Sequence, residues 1–378
     1  MEIANKIKTK FKKIDLNTDR KDIKKTFVDS MIGMSWGFFA TLIVGTIIGT
    51  LGLIPHLGAF TEIQKIMSFM TCFGIGVGVG IKTDKNPLKI LSMGIAAIII
   101  GRSAMMVGFN SGSFTFNTSF GFNIIVSSPG DVFSAWIGSF LLALIYRFFD
   151  TNSSFSIFIY PLFSILFGVV VSTFLPYLTT LIAVCIEWII WKIESSNNEG
   201  LKIGMAPVIG GIMGVCLTLP ISSAAIAATL HLKGTAAIAA MAGCSAQMIV
   251  WAIMTFFSNK KWGSTLSVGL GSSLLQIKNY SKKIKLFILP TIISSLMAII
   301  SVAIFRNNIH LLTPIAGGMG TSGMFAPLYA LIDNDWSSWA FLFSLLFLIA
   351  IPIGIGIPAT LLFFKKEWYK KEELILKT

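Results

Sequence analysis

Gly318-Met319-Gly320-Thr321-Ser322-Gly323 and Pro220-Ile221-Ser222-Ser223-Ala224 each interrupt a long apolar run with small and polar residues. In hydrocarbon every backbone N–H and C=O must find a partner inside the protein. Non-helical backbone persists at membrane depth only where protein buries it or a watery cavity receives it. Broken segments of this kind therefore mark a pathway or a site. The reading holds if the surrounding runs cross a membrane, and the composition says that they do. Of 378 residues, 54% are hydrophobic and 12% charged, against about a quarter charged in soluble domains.

Apolar windows long enough to span about 30 Å of hydrocarbon, roughly 20 residues each, lie near 29–54, 65–82, 88–109, 131–149, 155–176, 177–193, 203–220, 234–257, 286–305 and 337–364. The expected fold is an all-α polytopic transmembrane bundle of about ten spans with re-entrant or broken segments. Both ends are basic: residues 1–26 form a lysine-rich arm and 365–378 a basic tail, flanking a transmembrane domain at 27–364. Basic flanks favour the cytoplasm, so both ends are expected there, which needs an even number of spans. Alternation from an inside start puts Lys82, Lys85 and Lys89, Arg147, Lys192 and Lys202, and Lys260 and Lys261 on that same side.

The stretch from Gly263 to Gln276 begins and ends beside lysines on that side and is too short for two spans, so it reads as a re-entrant hairpin. By the same logic 221–232 and 311–332 are hairpins or half-helices from the outer side. The stretch 110–130 is a long external loop. No short apolar core with a cleavage site follows the basic arm, so no cleavable signal peptide is expected. The net charge of +13 sits in the tails and short loops, which suits anionic lipid rather than nucleic acid.

Ionisable residues inside a membrane are costly and mark function by default; Asp29, Arg102, Asp131 and Glu187 are the four here. Asp131 follows Ser-Ser-Pro-Gly and opens an apolar helix, where a carboxylate caps free N–H groups. The alternative is that it accepts hydrogen bonds from a solute, with Arg102 as counter-ion or second contact. Gln247, in Gly243-Cys-Ser-Ala-Gln-Met248, puts an amide into an apolar span, where it bonds a neighbouring helix or a solute. Gly320, Thr321 and Ser322 offer close backbone approach and hydroxyls to a neutral polyol or an anion. Similar breaks recur at Gly269-Leu-Gly-Ser-Ser273 and at Ser222 and Ser223. The second half is therefore the expected site.

His56, His231 and His310 have no partner at metal spacing, and Cys72, Cys185, Cys216 and Cys244 lie singly in apolar stretches. No metal or cofactor is expected. No Walker loop, nucleophile elbow or catalytic Cys/His pair is present, so transport or sensing remains.

Taken in order, Ser128-Pro-Gly-Asp-Val132, Leu219-Pro-Ile-Ser-Ser-Ala-Ala-Ile-Ala227, Gly243-Cys-Ser-Ala-Gln-Met248, Gly271-Ser-Ser-Leu-Leu-Gln276 and Gly317-Gly-Met-Gly-Thr-Ser-Gly323 resemble one family. It is the phosphotransferase-system enzyme IIC proteins of the toxin-regulator (perfringolysin-regulator) type. The likeness covers roughly 27–364. It implies a sugar-permease-like subunit of a bacterial plasma membrane, a homodimer working with separate soluble IIA and IIB phosphocarriers. With the residue reading above, the expected contacts for a small polar solute, a carbohydrate on this resemblance, are Asp131, Arg102, Ser222, Ser223, Gln247, Gln276, Gly320, Thr321 and Ser322. The chain lacks the Gly-Ile-Thr-Glu motif of glucose-type IIC proteins, whose glutamate meets sugar hydroxyls, so Asp131 with Gln247 would take its place. A membrane sensor controlling gene expression and an ion-coupled symporter are the other readings.

Overall fold

The structure is a computed structural model that describes residues 16–52, 57–103, 107–110, 113–116, 130–147, 155–195, 198–221, 223–229, 232–309 and 312–376. In chain order the helices are α1 (Leu16–Phe38), α2 (Val44–Leu51), α3 (Ala59–Phe69), α4 (Thr71–Thr83) and α5 (Pro87–Gly101). A β-hairpin of β1 (Val107–Asn110) and β2 (Ser113–Phe116) follows. Then come α6 (Val132–Tyr146), α7 (Ser156–Ser172), α8 (Leu175–Glu194), α9 (Glu199–Thr218), α10 (Ser223–Thr229) and α11 (Gly234–Asn259). The last are α12 (Trp262–Leu266), α13 (Ile277–Tyr280), α14 (Ile288–Phe305), α15 (Pro314–Met319), α16 (Phe325–Ile332), α17 (Ser338–Phe341) and α18 (Ile351–Lys365). The fold is an all-helical membrane bundle with one short hairpin.

All ten apolar windows hold helix. Among the described residues, six helical stretches are long and apolar enough to cross a bilayer: 22–51, 156–178, 199–218, 234–259, 284–305 and 338–365. The pair α3 and α4, bent by 52°, makes a seventh if it is one span. The expected count of about ten is not reached by this measure. Windows 88–109 and 131–149 hold helices of only 15 residues, because α5 stops at Gly101 and α6 cannot start before its cap at Asp131.

Glycines set how closely the helices approach. A Cβ on Gly78 would fall 2.2 Å from the Gly33 carbonyl oxygen, and one on Gly37 would fall 2.0 Å from that of Gly74, so α1 and α4 cross in direct backbone contact. The same small-residue logic joins α9 to α11, where a Cβ on Gly243 would lie 2.5 Å from the Gly210 Cα. Ser294 of α14 fastens both, its hydroxyl lying 2.8 Å from the carbonyl oxygens of Gly210 and Gly243. All of the apolar window in α11 is buried, against 22% of that in 156–178. α11 is thus the axis of the second half, while α7 turns Phe158, Leu162 and Val170 outward.

The apolar scaffold also holds a buried cation. Lys89, 5% exposed, lies 3.4 Å from the Asp84 carboxylate and 5.2 Å from the centre of the Tyr160 ring. A charge taken out of water needs such partners to persist.

Candidate functional site

Two hairpins enter the second half from opposite ends of α11. The lower one starts beside Lys260 and Lys261, rises through α12 and a π-turn at Ser267–Gly271, and turns back at Ser272, whose backbone is extended (φ −156°, ψ 135°). It returns through a 3-10 turn, Ser273–Gln276, and α13. The upper one runs down α15, reverses at Gly320 (φ 56°) and returns through Ser322–Met324 into α16. Its reversal needs a positive φ at Gly320 and Gly323, which glycine adopts without steric cost.

Both tips reach the middle of α11. A Cβ on Gly320 would meet the Cys244 carbonyl at 2.9 Å, and one on Gly269 would meet the Ala252 methyl at 2.9 Å. Since α11 has 26 residues, about 39 Å at 1.5 Å per residue, these contacts lie about 12 Å apart along it and straddle its midpoint. The tips are sewn together by hydroxyls of the upper hairpin. Thr321 Oγ1 donates to the Gly269 carbonyl at 2.6 Å and Ser322 Oγ to that of Gly271 at 2.8 Å. Ser223, at the start of α10, donates to the Gly318 carbonyl at 2.6 Å. A hydroxyl that donates in this way keeps lone pairs for accepting.

Around this seam lies a small cavity of about 30 Å³, part of it open to solvent, room for about two waters at roughly 10–15 Å³ each. Its polar atoms come from Ser223, Ser272 and Ser322, and its apolar walls from Phe38, Leu42, Leu219 and Met319. The wall formed by α1 is irregular: a π-turn at Phe39–Ile43 interrupts the helix beside the cavity. Such π-bulges cluster at functional sites.

Of the residues expected to contact solute, Ser223 and Ser322 line the cavity, and Gly320 and Thr321 form the tip beside it. Ser222, with His231, lies outside the described residues, as do His56, His310, most of the 110–130 loop and the side chain of Glu187. Gln247 is fully buried behind the cavity wall. Its Nε2 makes a long 3.4 Å contact with Thr218 Oγ1, to which Ser273 also donates at 3.1 Å. Its Oε1 has no hydrogen-bond partner among the described residues, which costs about 1–3 kcal/mol for a buried acceptor. That oxygen lies behind the wall, not in the cavity itself.

Asp131 and Arg102 lie together where α5 ends and α6 begins. One Asp131 oxygen accepts from the N–H groups of Phe133 and Ser134 at 3.1 and 3.0 Å, and the other from the Ser134 hydroxyl at 2.6 Å. This is the capping alternative. Arg102 donates to the Phe69 carbonyl at 2.9 Å, with its guanidinium 4.3 Å from the centre of the Phe69 ring. Asp131 N–H also ties to the Gly101 carbonyl at 2.8 Å. Both residues thus serve the joint between α5 and α6, next to the cavity through Val132.

Gln276 lies at the base of the lower hairpin rather than in the cavity. Its Nε2 donates to Thr255 Oγ1 at 2.7 Å and to the Leu374 carbonyl at 3.2 Å, while its Oε1 accepts from Asn279 at 2.6 Å. Trp136 and Trp251 are packing residues. Trp136 Nε1 donates to Ser30 at 3.2 Å, and Trp251 sits against Tyr280 and Phe287.

A family model described as "Phosphotransferase system, EIIC" matches residues 28–376. No curated protein matches the sequence. Among solved structures, the chain is similar to the transporter ChbC, the IIC component from the N,N'-diacetylchitobiose-specific phosphotransferase system. Identity is 12% and the TM-score 0.37, over 94% of this chain and 97% of that one.

Proposed function

The chain belongs to the phosphotransferase system EIIC family, and from that premise we propose that its carbohydrate binds in the cavity where the two hairpin tips meet. Membership makes the chain a membrane carbohydrate permease subunit that works with IIA and IIB components. The observation that carries the site is the meeting of the tips halfway along α11, around Ser223, Ser272 and Ser322. A carbohydrate presents hydroxyls that both donate and accept, and apolar ring faces between them. The cavity offers serine hydroxyls and an apolar wall, with no carboxylate among its lining residues.

Because each tip reaches the seam from its own end of α11, withdrawing one opens the cavity toward that end alone, which is the geometry of alternating access. Gln247 Oε1 and Thr218 extend the polar lining beneath the wall. The ordered motifs from Ser128 to Gly323 support assignment to the toxin-regulator type, and the resemblance also underlies a homodimer and separate IIA and IIB phosphocarriers. Lys260, Lys261, Lys365 and Lys366 favour a bacterial plasma membrane with both ends cytoplasmic and in touch with anionic lipid. In that arrangement residues 27–364 are the transport domain, between two basic arms.

The test is uptake of a panel of labelled carbohydrates into proteoliposomes, with and without phosphoenolpyruvate and a cytosolic extract that supplies the phosphocarriers. Donor-dependent uptake with phosphorylated sugar inside is the expected result. Folded protein that binds a carbohydrate yet moves none under either condition would overturn the permease reading in favour of a sensor.

A further inference from the structure

The upper hairpin is closed at its base by its own residues. Asp333, at the end of α16, accepts from the N–H of Thr313 and, at 3.0 Å, from the Thr313 hydroxyl. The base of the lower hairpin is closed instead by the segment 366–376 that follows α18. Asn259, the last residue of α11, donates from Nδ2 to the Leu374 carbonyl at 3.1 Å and accepts the N–H of Leu376 at 3.0 Å. Gln276 donates to the same Leu374 carbonyl, and Asn279 to that of Ile375 at 3.3 Å. Farther along, Tyr369 Oη accepts from the N–H of Leu289 and donates to the Lys285 carbonyl, each at 3.1 Å. Lys285 Nζ donates to the Trp368 carbonyl at 2.8 Å, and Lys283 pairs with Glu373.

We propose that the segment 366–376 is a latch that holds the lower hairpin against α11, with Asn259, Gln276 and Asn279 as the positioning residues that grip it. Side-chain amides hold it largely through main-chain groups, while Leu374 and Tyr369 are buried, 0% and 2% exposed, Tyr369 against Phe363 and Phe364 of α18. Release of the segment leaves Gln276, Asn259 and Asn279 short of partners together, so the base of the hairpin loosens as a unit. The hairpin tip bears the Gly269 and Gly271 carbonyls that Thr321 and Ser322 hold. Loosening the base therefore weakens the seam over the cavity from the lower side. Electrostatics tighten the latch at its rim: burial works against the Glu373 carboxylate, but hydrogen bonds from Lys283 and from the Lys370 N–H outweigh it and lower its pKa.

The inference takes its consequence for transport from the permease reading, but its primary test needs no solute. Hydrogen exchange on the protein in lipid nanodiscs is compared for the intact chain and a chain stopped after Lys366. Exchange in 267–280 is expected to rise at least tenfold, with α11 around Cys244 unchanged, and a synthetic peptide of residues 367–376 added in trans is expected to restore protection. Equal exchange in 267–280 for the folded shortened chain would overturn the latch. If the shortened chain does not fold, the same measurement on the full-length double variant Asn259→Leu/Tyr369→Phe decides, with the same two outcomes. In proteoliposomes, unlatched protein is expected to leak carbohydrate about tenfold faster without phosphodonor, at an affinity within twofold of the intact chain. Intact protein that moves no carbohydrate would sink the permease reading and leave the exchange result standing.

Discussion

The two hairpins that meet at the middle of α11 differ in how they are fastened. Thr313 and Asp333, 20 positions apart, shut the upper hairpin with local bonds, while the lower one depends on partners 96 to 117 positions away. The upper hairpin also carries the positive-φ glycine turn and the donating hydroxyls, whereas the lower one contributes mostly carbonyls. One hairpin is a preformed element that presents its polar groups, and the other is a receptor for them whose position is set from elsewhere.

This contrast can be broken most sharply at Gly318, where a Cβ would fall 2.3 Å from the Ser223 carbonyl oxygen. Neither backbone can yield cheaply, so Gly318→Val is expected to unseat the upper hairpin, at a cost of about 1–3 kcal/mol or more. Calorimetric titration should find no carbohydrate binding, and binding at wild-type affinity would show that the seam is not the site. Asp333→Ala comes next. Loss of two carboxylate hydrogen bonds removes about 2 kcal/mol, and exchange should rise in 314–332 while 267–280 stays protected. A rise in both hairpins would mean that they open as one body, against the contrast drawn here.

Ser322→Ala is expected to have a smaller effect, because it deletes one neutral hydrogen bond to Gly271, worth about 1 kcal/mol net. That corresponds to a loss of roughly fivefold in carbohydrate affinity, measured by titration. Smallest of all is Asp131→Asn. Asparagine still caps a helix about as well as aspartate, so affinity should stay within twofold and thermal stability nearly unchanged. A tenfold loss of affinity would return Asp131 to the site.

Several of these positions were legible in the sequence because their chemistry is local. The Gly/Ser breaks at 219–224, 269–273 and 317–323 stand out against apolar neighbours, and all three converge on one cavity. Asp131 was legible as far as the choice between cap and contact, since a carboxylate after Ser-Pro-Gly serves either. Gln276 was not, because its partner is a backbone carbonyl 98 residues away and any residue type supplies one. Thr218, which gathers Gln247 and Ser273, has no signal beyond being a hydroxyl near the end of an apolar run. The π-turn at Phe39–Ile43 is hidden too: Phe-Ala-Thr-Leu-Ile reads as ordinary helix, and only the fold shows the Phe39 ring packed against Gly271 of the lower tip. The short helices α5 and α6 escaped as well, since hydropathy runs on past Gly101 although the backbone turns there.

The distance along the chain between Gln276 and Leu374 sets an order of assembly. At about 5–20 residues per second of synthesis, Asp333 follows Thr313 within roughly 1 to 4 s, whereas Leu374 follows Gln276 only after about 5 to 20 s. Every newly made copy thus passes through an interval in which its upper loop is already fastened and its lower one is still open. Quality-control proteases that sample unfinished membrane proteins would find that opening at the Gln276 side, and the docking of residues 366–376 is what removes it.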